Sequence, residues 1–564
     1  MRHGDTGDMG IKRIISTVLL TTVTLMILNP KCGYSQEKKF DLIIRNGTVY
    51  DGTGGEARHA DLAILGERIA GIGDFSGVPA AKVIDARGLV VAPGFIDIHT
   101  HSDFNPFLQP GSPHKLLQGV TTEVAGNCGM SAAPLIGDMR EKVFEVWQRE
   151  GVAIPEHVPT WDSVGEYLEA LERAGLLTNF VFLVGHGNLR WSVMKDASRK
   201  ASPEESKEME GLLRQSIAEG AFGLSLGLVY LPGTYAGKDE LIGLAKTLKE
   251  SDSLLTVHMR SEGRRLIESV DEVLEIAEAS GTRLEISHLK AAGFKNWQKI
   301  DPALRRIEDA KQKGFEVFGD VYPYEAAFAE LGVILPEEIY EAPDRVALLK
   351  NPEKRSELKR LTQKELDESG SIPEQFMIAA VKLSKHKSYE GKTLAEIAKM
   401  EGKDPLDALF DLLAEENFLV SAFSFSQDPA VVKHIAQKEY VSIGSDNMSD
   451  FGPKPHPRTY GTFPRFLQWV RDGKVVPLSD AIRKMTGLPA DVLGLSDRGR
   501  IREGEYADIV IFDLAKIESP ATYEDPKEYA RGVEWVLVNG AVVVEQGKYN
   551  GRFAGQVLRK KGRE

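Results

Sequence analysis

Cysteine is scarce in this chain. Only two cysteines, Cys32 and Cys128, occur among 564 residues, which excludes a small fold stapled by several disulfides. Cys32 lies in a segment that we expect to be removed, so Cys128 has no intramolecular partner in the mature chain. An unpaired thiol in an exported protein needs a chemical reason, and metal ligation is the readiest one.

Positive charge is in deficit. The chain has 70 Lys and Arg against 83 Asp and Glu, a net charge of −13. Without residues 1–35, which hold four of the basic and two of the acidic residues, the balance becomes 66 against 81. An acidic chain is a poor candidate for binding nucleic acid or an anionic membrane. We therefore expect a small-molecule partner.

Long apolar runs are rare, and one stands near the start of the chain. Residues 14–28 are apolar, follow Lys12 and Arg13, and precede the small residues Gly33 and Ser35. This pattern predicts a secretory signal peptide, residues 1–35, and an exported protein, periplasmic or secreted. A transmembrane anchor is the alternative, but the run is short for a span. Lipidation of Cys32 is a weaker alternative.

Short β-like segments stand at both ends of the chain. "FDLIIRNGTVYDG" (40–52) and "VEWVLVNGAVVVEQG" (533–547) both carry Asn-Gly turn signals, and "LVNGAVVV" echoes "IIRNGTVY". We expect the two ends to pair into one small β-sandwich domain, discontinuous in sequence, over residues 36–92 plus 490–564.

Apolar strand-like runs alternate with helical patterns in residues 93–489. The runs are "GFIDIHTH", "TTEVAG", "NFVFLVGH", "AFGLSLG", "LLTVHM", "RLEISHL", "FEVFGDVYP" and "YVSIGSDN". Helices are expected at 204–219 and 266–280, among others. Eight such units predict a (β/α)8 TIM barrel in the α/β class. A doubly wound sheet, which usually has fewer strands, is the alternative.

The last two runs are separated by about a hundred residues, far more than an ordinary loop. Helical patterns fill the gap, at 355–368 and 394–415. We therefore expect a small inserted domain at about residues 330–425, between barrel strands seven and eight.

Two histidines stand two residues apart in "GFIDIHTHSDF", residues 94–104. If 95–101 is a strand, His99 and His101 share one face. Neighbouring imidazoles repel when protonated and are stable when neutral and bound to a shared cation. Hydrogen bonds to backbone carbonyls are the alternative explanation.

Polar residues with metal-binding chemistry close most of the predicted strands. The carboxyl ends of barrel strands converge on one rim, where active sites of this fold lie. Each residue taken singly has an ordinary structural explanation, but together they predict a zinc site, in which a thiolate can bridge two ions. The set is His99, His101, Cys128, His258, His288 and Asp446.

Other histidines have a weaker case. His186 closes the third run and is expected either to hydrogen-bond a neighbouring loop or ligand or to act directly in catalysis. The polar or helical surroundings of four more indicate surface positions: His114, His157, His386 and His434.

The motifs "PGFIDIHTHSD", "GVTTEVAGNCG", "TVHMRSEG", "ISHLK", "GSDN" and "GRIREGEYADIVIFD" resemble the amidohydrolase superfamily. The position of the cysteine, with "GLSLGLVYLPGTYA" and "PHPRTYGTFPR", narrows the resemblance to the D-aminoacylase (N-acyl-D-amino-acid deacylase) family. The similarity runs from about residue 40 to the C-terminus.

The resemblance implies two zinc positions. Cys128, His258 and His288 would hold the tight ion. His99, His101 and Asp446 would complete a weaker position, with Cys128 as the bridge that other superfamily members make from a carboxylated lysine. The fourth run, "GLSLG", offers no such lysine. The sequence departs from the family pattern at Asn447, where a glycine is common.

Amide hydrolysis at such a site needs a base and an acid, and Asp446 is the candidate for both. The amino-acid product carries a carboxylate, for which Arg458 and Lys290 are the candidate contacts, since Arg grips a carboxylate bidentately. Tyr230 is expected to line the acyl or side-chain pocket. The expected activity is zinc-dependent deacylation of N-acyl-D-amino acids. A cyclic-amide hydrolase, a dipeptidase acting on D-residue-containing dipeptides, and a non-catalytic binding protein are the alternatives.

Overall fold

The computed structural model describes residues 40–149, 158–195, 198–448, 452, 454–473 and 475–560. The predicted signal peptide (1–35) and His157 lie outside the described residues. Within the described residues, no helix has both the length and the apolarity needed to cross a membrane.

Twenty strands lie in the described part of the chain. They are β1 (Phe40–Val49), β2 (Arg58–Leu65), β3 (Arg68–Gly73), β4 (Ala80–Asp85), β5 (Val90–Pro93), β6 (Phe95–Asp97), β7 (Val120–Ala125), β8 (Asn179–Gly185), β9 (Gly223–Gly227), β10 (Leu254–His258), β11 (Arg283–Ile286), β12 (Val317–Val321), β13 (Ala327–Glu330), β14 (Phe376–Val381), β15 (Val420–Ser424), β16 (Val441–Ile443), β17 (Ile509–Phe512), β18 (Val533–Val538), β19 (Ala541–Glu545) and β20 (Lys548–Tyr549).

Helices alternate with these strands. The α-helices are α1 (Asn105–Leu108), α2 (Met139–Arg149), α3 (Val164–Ala174), α4 (His186–Met194), α5 (Pro203–Ala218), α6 (Lys238–Glu250), α7 (Leu266–Ser280), α8 (Ile300–Gln312), α9 (Glu337–Tyr340), α10 (Arg345–Lys350), α11 (Arg355–Ser369), α12 (Leu394–Glu401), α13 (Pro405–Glu415), α14 (Pro429–Ala436), α15 (Arg458–Arg471), α16 (Leu478–Met485) and α17 (Gly487–Leu493). Short 3-10 helices span Leu116–Gln118, Gly233–Tyr235, Phe294–Lys299, Leu331–Ile334, Pro373–Gln375 and Ser384–Tyr389.

Eight parallel strands form the predicted barrel. The ladder runs from β6 through β7 to β12 in chain order and ends at β16. Beyond the ends of β16 and β6, an isolated parallel bridge between Thr100 and Asn447 brings the ladder close to closure. The strands are buried on both faces, which explains continuous apolar runs such as "NFVFLVG" in β8. The (β/α)8 barrel is confirmed.

Helix boundaries follow ordinary capping chemistry. α5 starts after Ser202, whose side chain and that of Glu205 form a capping box. α7 buries Leu266, Val270 and other residues of one face, and it ends at Gly281, which adopts a left-handed φ of 68°. These two helices match the sequence prediction within one residue at each end.

Both chain ends contribute to one nine-stranded mixed sheet. Its order is β20-β19-β18-β17-β5-β1-β2-β3, with β4 pairing to β1. β17 pairs antiparallel with β5, so this contact joins the two ends of the chain. The sheet has an apolar cluster of its own, which includes Leu42, Leu62, Ile84 and Ile509. The prediction that both chain ends form one sheet domain is thus confirmed.

The insertion between barrel strands seven and eight holds β13, β14 and β15 as a small antiparallel sheet, together with helices α9 to α13. It has a separate apolar cluster. The single helix predicted at 394–415 is wrong, because α12 stops before Gly402, which has a left-handed φ of 63°. The chain then restarts as α13 at Pro405, capped by Asp404, since proline suits the first turn of a helix but not its interior.

The first barrel strand is also shorter than predicted. β6 ends at Asp97, so His99 and His101 follow the strand instead of lying within it. The same-face argument from strand alternation therefore does not apply, and their convergence depends on the loop that continues β6.

Candidate metal centre and active site

The structure brings all six sequence-predicted ligands together at the carboxyl-end rim of the barrel. Their ligand atoms form two groups in which all atoms lie within 4.8 Å of one another. The first group contains His99, His101, Cys128 and Asp446, and the second contains Cys128, His258 and His288. Cys128 belongs to both groups.

Cys128 stands at the centre of this arrangement. Its Sγ lies 3.4 Å from Nε2 of His99 and 3.3 Å from Nε2 of His288. The loop after β7 carries Cys128 close to the end of β9, where a Cβ on Gly227 would lie 2.1 Å from the Cys128 carbonyl oxygen. Only glycine fits at that point. The end of β9 thus receives the cysteine loop.

Asp446 lies on the opposite side of the first group. Its Oδ1 is 3.3 Å from Nε2 of His101 and 3.5 Å from Nε2 of His99. Its Oδ2 is 2.9 Å from Nη1 of Arg458. The carboxylate therefore bridges the imidazoles and a buried guanidinium.

Two carboxylates orient the imidazoles from behind. Nδ1 of His99 donates to Oδ2 of Asp320 at 3.0 Å, and Nδ1 of His288 lies 2.8 Å from Oε1 of Glu262. Such partners fix the ring and turn Nε2 towards the centre. The sequence reasoning missed both. Asp320 lies near the carboxyl end of β12, so the rim argument that found the other residues would have found it.

Ionisation states favour a charged centre. Burial raises the pKa of the Cys128 thiol, but the imidazoles of His99 and His288 lower it by a larger amount. The pKa of this thiol therefore lies well below the ordinary value for cysteine. Burial also raises the pKa of Asp446, but the positive charges of Arg458 and His288 lower it by a larger amount. The pKa of Asp446 is therefore also well below its usual range. These shifts favour the thiolate form of Cys128 and the carboxylate form of Asp446.

His258 differs from its neighbours. Burial lowers its pKa, which favours the neutral imidazole that binds a metal. Its ring packs against Tyr230 with a centroid distance of 4.8 Å. Tyr230 thus lies directly beside the second group of ligands.

The centre opens into a cavity of about 920 Å³. Its wall includes His101, Cys128, Asp446, Tyr230 and Lys290. The volume is at the upper end of the range for small-molecule sites, about 300–1,000 Å³.

Arg458 is placed differently from Lys290. Its side chain is fully buried and stacks on Tyr322, with Cζ 4.6 Å from the ring centroid, and it is not part of the described cavity wall. Lys290 lies in the wall with Nζ 2.6 Å from Oε1 of Glu262. Tyr322, which the sequence reasoning also missed, lines the cavity between the two cations.

The other histidines that the sequence singled out lie outside the centre wherever the structure describes them. Nε2 of His186 is 2.7 Å from Oε1 of Glu240, and the ring is fully buried away from the cavity wall, which favours the hydrogen-bonding interpretation over a catalytic one. The surface positions predicted for His114 and His386 are wrong. Both side chains are buried, with 4% exposure for His114 and 6% for His386. His114 contacts Ser112, and His386 pairs with Glu416. His434 is partly exposed, as expected.

The donor set fits zinc. Four imidazoles, one thiolate and one carboxylate are the side chains from which zinc sites are built, and the buried carboxylates behind His99 and His288 supply the outer hydrogen bonds that such sites need.

Comparison with known proteins agrees with this geometry. Residues 82–544 match the amidohydrolase family. N-acyl-D-glutamate deacylase of Alcaligenes xylosoxydans xylosoxydans is 36% identical over 527 residues, which cover 93% of this chain and 97% of the relative. D-aminoacylase of the same organism is 34% identical over 525 residues, covering 93% and 98%.

Solved structures give the same result. An N-acyl-D-glutamate deacylase from Bordetella bronchiseptica, complexed with zinc and a phosphonate inhibitor that mimics the tetrahedral intermediate, has a TM-score of 0.79 at 34% identity and covers 93% of this chain and 100% of its own. A D-aminoacylase described with a binuclear metal centre has a TM-score of 0.77 at 34% identity, covering 92% and 100%. The chain therefore belongs to the amidohydrolase family and, within it, to the D-aminoacylase (N-acyl-D-amino-acid deacylase) family.

Proposed function

We propose that this chain is a zinc-dependent hydrolase of the amide bond of N-acyl-D-amino acids, releasing a D-amino acid and a carboxylate. The observation that carries the proposal is the convergence of two ligand groups on Cys128 at the mouth of a large cavity. The relatives that share this chain's length and fold are deacylases of N-acyl-D-amino acids.

Cys128, His258 and His288 would hold the tight zinc ion. His99, His101 and Asp446 would hold a second, weaker one, with Cys128 shared. A bound zinc ion supplies a water of lowered pKa, about 7, and polarises the substrate carbonyl. The carboxylate of Asp320 would keep His99 in the tautomer that leaves Nε2 available to the ion, and Glu262 would hold the ring of His288 in place.

Asp446 is the proton carrier. Its carboxylate lines the cavity and is ionised at neutral pH, because Arg458 and His288 lower its pKa more than burial raises it. It takes a proton from the attacking water and returns it to the leaving nitrogen, which would otherwise depart as an unstable amide anion. No side-chain nucleophile is needed.

The substrate carboxylate binds at the corner formed by Lys290, Tyr322 and Arg458. Two cations flank the Tyr322 ring there. Nε and Nη2 of Arg458 are buried next to Tyr322 and have no hydrogen-bond partner among the described residues, so they keep donor capacity for a carboxylate. Tyr230 borders the acyl or side-chain pocket next to His258.

A cyclic-amide hydrolase or a dipeptidase needs the same metal residues with another pocket. Dihydropyrimidinase and D-hydantoinase structures share the fold at 18% and 17% identity. This likeness supports the barrel fold, but it gives no support for either of their substrates. A non-catalytic binding protein would have no use for an ionised Asp446 at the cavity wall.

One experiment separates these functions. The purified mature protein, loaded with zinc, is assayed against N-acyl-D-amino acids, N-acyl-L-amino acids, hydantoins and dipeptides. Hydrolysis confined to N-acyl-D-amino acids, lost on chelation and restored by zinc, supports the proposal. Preferred turnover of another substrate class, or none with zinc bound, contradicts it.

Export is proposed from the sequence. Removal of residues 1–35 would leave Gln36 as the first residue. N-terminal sequencing of the protein from its native host tests this, and a lipid-modified Cys32 at the N-terminus would contradict it.

A further inference from the structure

The barrel has a weak seam between its first and last strands. Among the described residues, β6 and β16 share no ladder, and backbone hydrogen bonds join only the segments that follow them. Asp446 N donates to His99 O, and His101 N donates to Asn447 O, each at 2.8 Å. Candidate ligands therefore stand on both sides of the seam. Whatever holds the seam also sets the position of Asp446 relative to the two histidines.

A buried lysine lies at this seam. Lys115 is 3% exposed, and its Nζ donates to Oδ2 of Asp97 at 2.5 Å, to Oδ1 of Asn447 at 2.6 Å and to Oγ of Ser445 at 3.0 Å. An ammonium has three donors, and all three have acceptors here. One acceptor belongs to β6 and two belong to the segment after β16. Lys115 thus ties the two sides of the seam together.

The two acceptors after β16 are the immediate neighbours of Asp446. Oγ of Ser445 also donates to Oδ1 of Asn447 at 2.8 Å, and Oδ1 of Asp97 accepts from Ser445 N at 2.8 Å. Asp446 itself has a φ of 48°, in the left-handed region. That conformation costs a non-glycine residue about 1 kcal/mol or more and persists only where the surroundings enforce it.

We propose that Lys115 and Asn447 are positioning residues that fix Asp446 by clamping its two neighbours to the first barrel strand. Both residues lie outside the described cavity wall and contact the two neighbours of Asp446 or the first barrel strand. The clamp needs the side-chain oxygen of Asn447, which a glycine at this position would not supply. The inference rests on the proposed role of Asp446 as proton carrier and ligand of the weaker zinc ion.

The first test uses the full mature chain with Asn447→Gly. The loss of one acceptor frees Asp446, so we expect kcat to fall about 10–100-fold, the usual effect of removing a residue that orients a ligand. KM should change less than kcat, because the clamp acts on Asp446 directly and reaches the carboxylate corner only through the ion pair of Asp446 with Arg458. In a zinc titration against a chromogenic chelator, the weaker zinc ion should bind at least about tenfold less tightly, and the tight ion should be unchanged.

Ser442→Ala is the matched control. Ser442 is fully buried in β16, and its Oγ has no partner among the described residues. Its removal deletes a buried polar group from the strand that precedes Asp446 and leaves the hydrogen bonds of Lys115 in place. We expect kcat, KM and both zinc affinities to stay at wild-type values.

A second variant, Lys115→Met, tests whether Asn447 acts through Lys115. If it does, the double variant loses no more kcat than Lys115→Met by itself, whereas independent effects would multiply. If Lys115→Met does not fold, Asn447→Gly by itself still tests the clamp.

The clamp is overturned if Asn447→Gly keeps wild-type kcat and wild-type zinc affinity at the weaker site. It is also overturned if this variant loses the tight zinc ion and thermal stability in parallel with kcat. A wild type that hydrolyses nothing in the substrate panel contradicts the proposed function, while the zinc titration still tests the clamp.

Discussion

Nη1 of Arg458 lies 2.9 Å from Oδ2 of Asp446, which lines the cavity, whereas Arg458 itself is buried and is not part of the described wall. The residue proposed to bind the substrate carboxylate thus contacts the residue proposed to carry the proton. Binding of the anionic substrate and placement of the base are therefore coupled through one guanidinium.

Arg458→Met should affect both binding and turnover. Removing a charged hydrogen-bond donor costs about 1.5–3 kcal/mol of binding free energy, so KM should rise at least about tenfold. The value of kcat should also fall, because Asp446 loses its partner.

N-acyl-D-amino acid carboxamides, which lack the carboxylate, test whether Arg458 binds that carboxylate. The preference for acid over carboxamide should disappear in the variant. Arg465→Met is the matched control on α15, since Arg465 pairs with Glu325 instead. A preserved preference for the acid would contradict the binding role.

Asp446→Asn removes the proton acceptor and keeps the size of the side chain. We expect turnover to fall by about 10²–10⁴-fold, the usual contribution of general base catalysis. Tight zinc, which does not depend on Asp446, should remain near one equivalent by elemental analysis. Near-normal turnover in a zinc-loaded variant would make Asp446 a structural residue.

Cys128→Ala should fail in another way. The thiolate belongs to both ligand groups, so its loss should lower zinc content and activity together. Elemental analysis and assay of the same preparation check this. A variant that kept one tight zinc per chain would show that Cys128 is not a ligand of the tight ion.

The charge of the cavity wall predicts discrimination against acidic substrates. Eleven acidic residues and seven lysines or arginines line the described wall. Each of these seven cations has a carboxylate partner: Lys142 with Glu145, Arg260 with Glu272, Arg264 with Glu365, Arg265 with Glu337, Lys290 with Glu262, Arg345 with Glu330 and Lys364 with Glu368.

A second carboxylate on the substrate would therefore meet mainly negative charge, which is costly. We expect kcat/KM for N-acyl-D-glutamate and N-acyl-D-aspartate to be at least about tenfold below that for N-acyl-D-methionine. Steady-state kinetics on this set at one ionic strength is the measurement. Equal or better turnover of the acidic substrates would show that the wall charges do not set the preference.

Lys484 gives a pH signature in stability. It is buried and donates to the carbonyl oxygens of Lys438 and Val441, and burial lowers its pKa from 10.5 to about 8. Between pH 8 and 10.5 the unfolded chain therefore binds more protons than the folded one, so the stability contributed at this position rises with pH, by up to about 1.4 kcal/mol per pH unit.

Urea unfolding of wild type and Lys484→Met at pH 8, 9 and 10 tests this. The stability of the wild type relative to the variant should increase across the series. The comparison cancels the pH dependence of the metal ligands, which both proteins share. A difference that stays constant with pH would contradict the lowered pKa.

The local pattern of the sequence determined the elements and the chemistry of the rim. Apolar runs bounded by turn residues predicted the eight barrel strands, because a parallel strand buried on both faces needs a continuous apolar run. The residues that follow those runs included all six candidate ligands, since the topology of a barrel places strand ends on one rim. The helix predicted at 394–415 failed where Gly402 and Pro405 break the pattern, a local signal present in the sequence.

Only the tertiary structure decided the partners of the ligands. Asp320 orients His99 over a separation of 221 residues, and Lys115 contacts Asn447 over 332. The sequence predicted Arg458 as a contact of the substrate carboxylate, but only the fold shows that its guanidinium also pairs with Asp446. Periodicity reports the local backbone and which face of an element is buried. It contains no information on which distant polar groups meet once the barrel has formed, and these contacts set the orientation of the ligands and the position of the base.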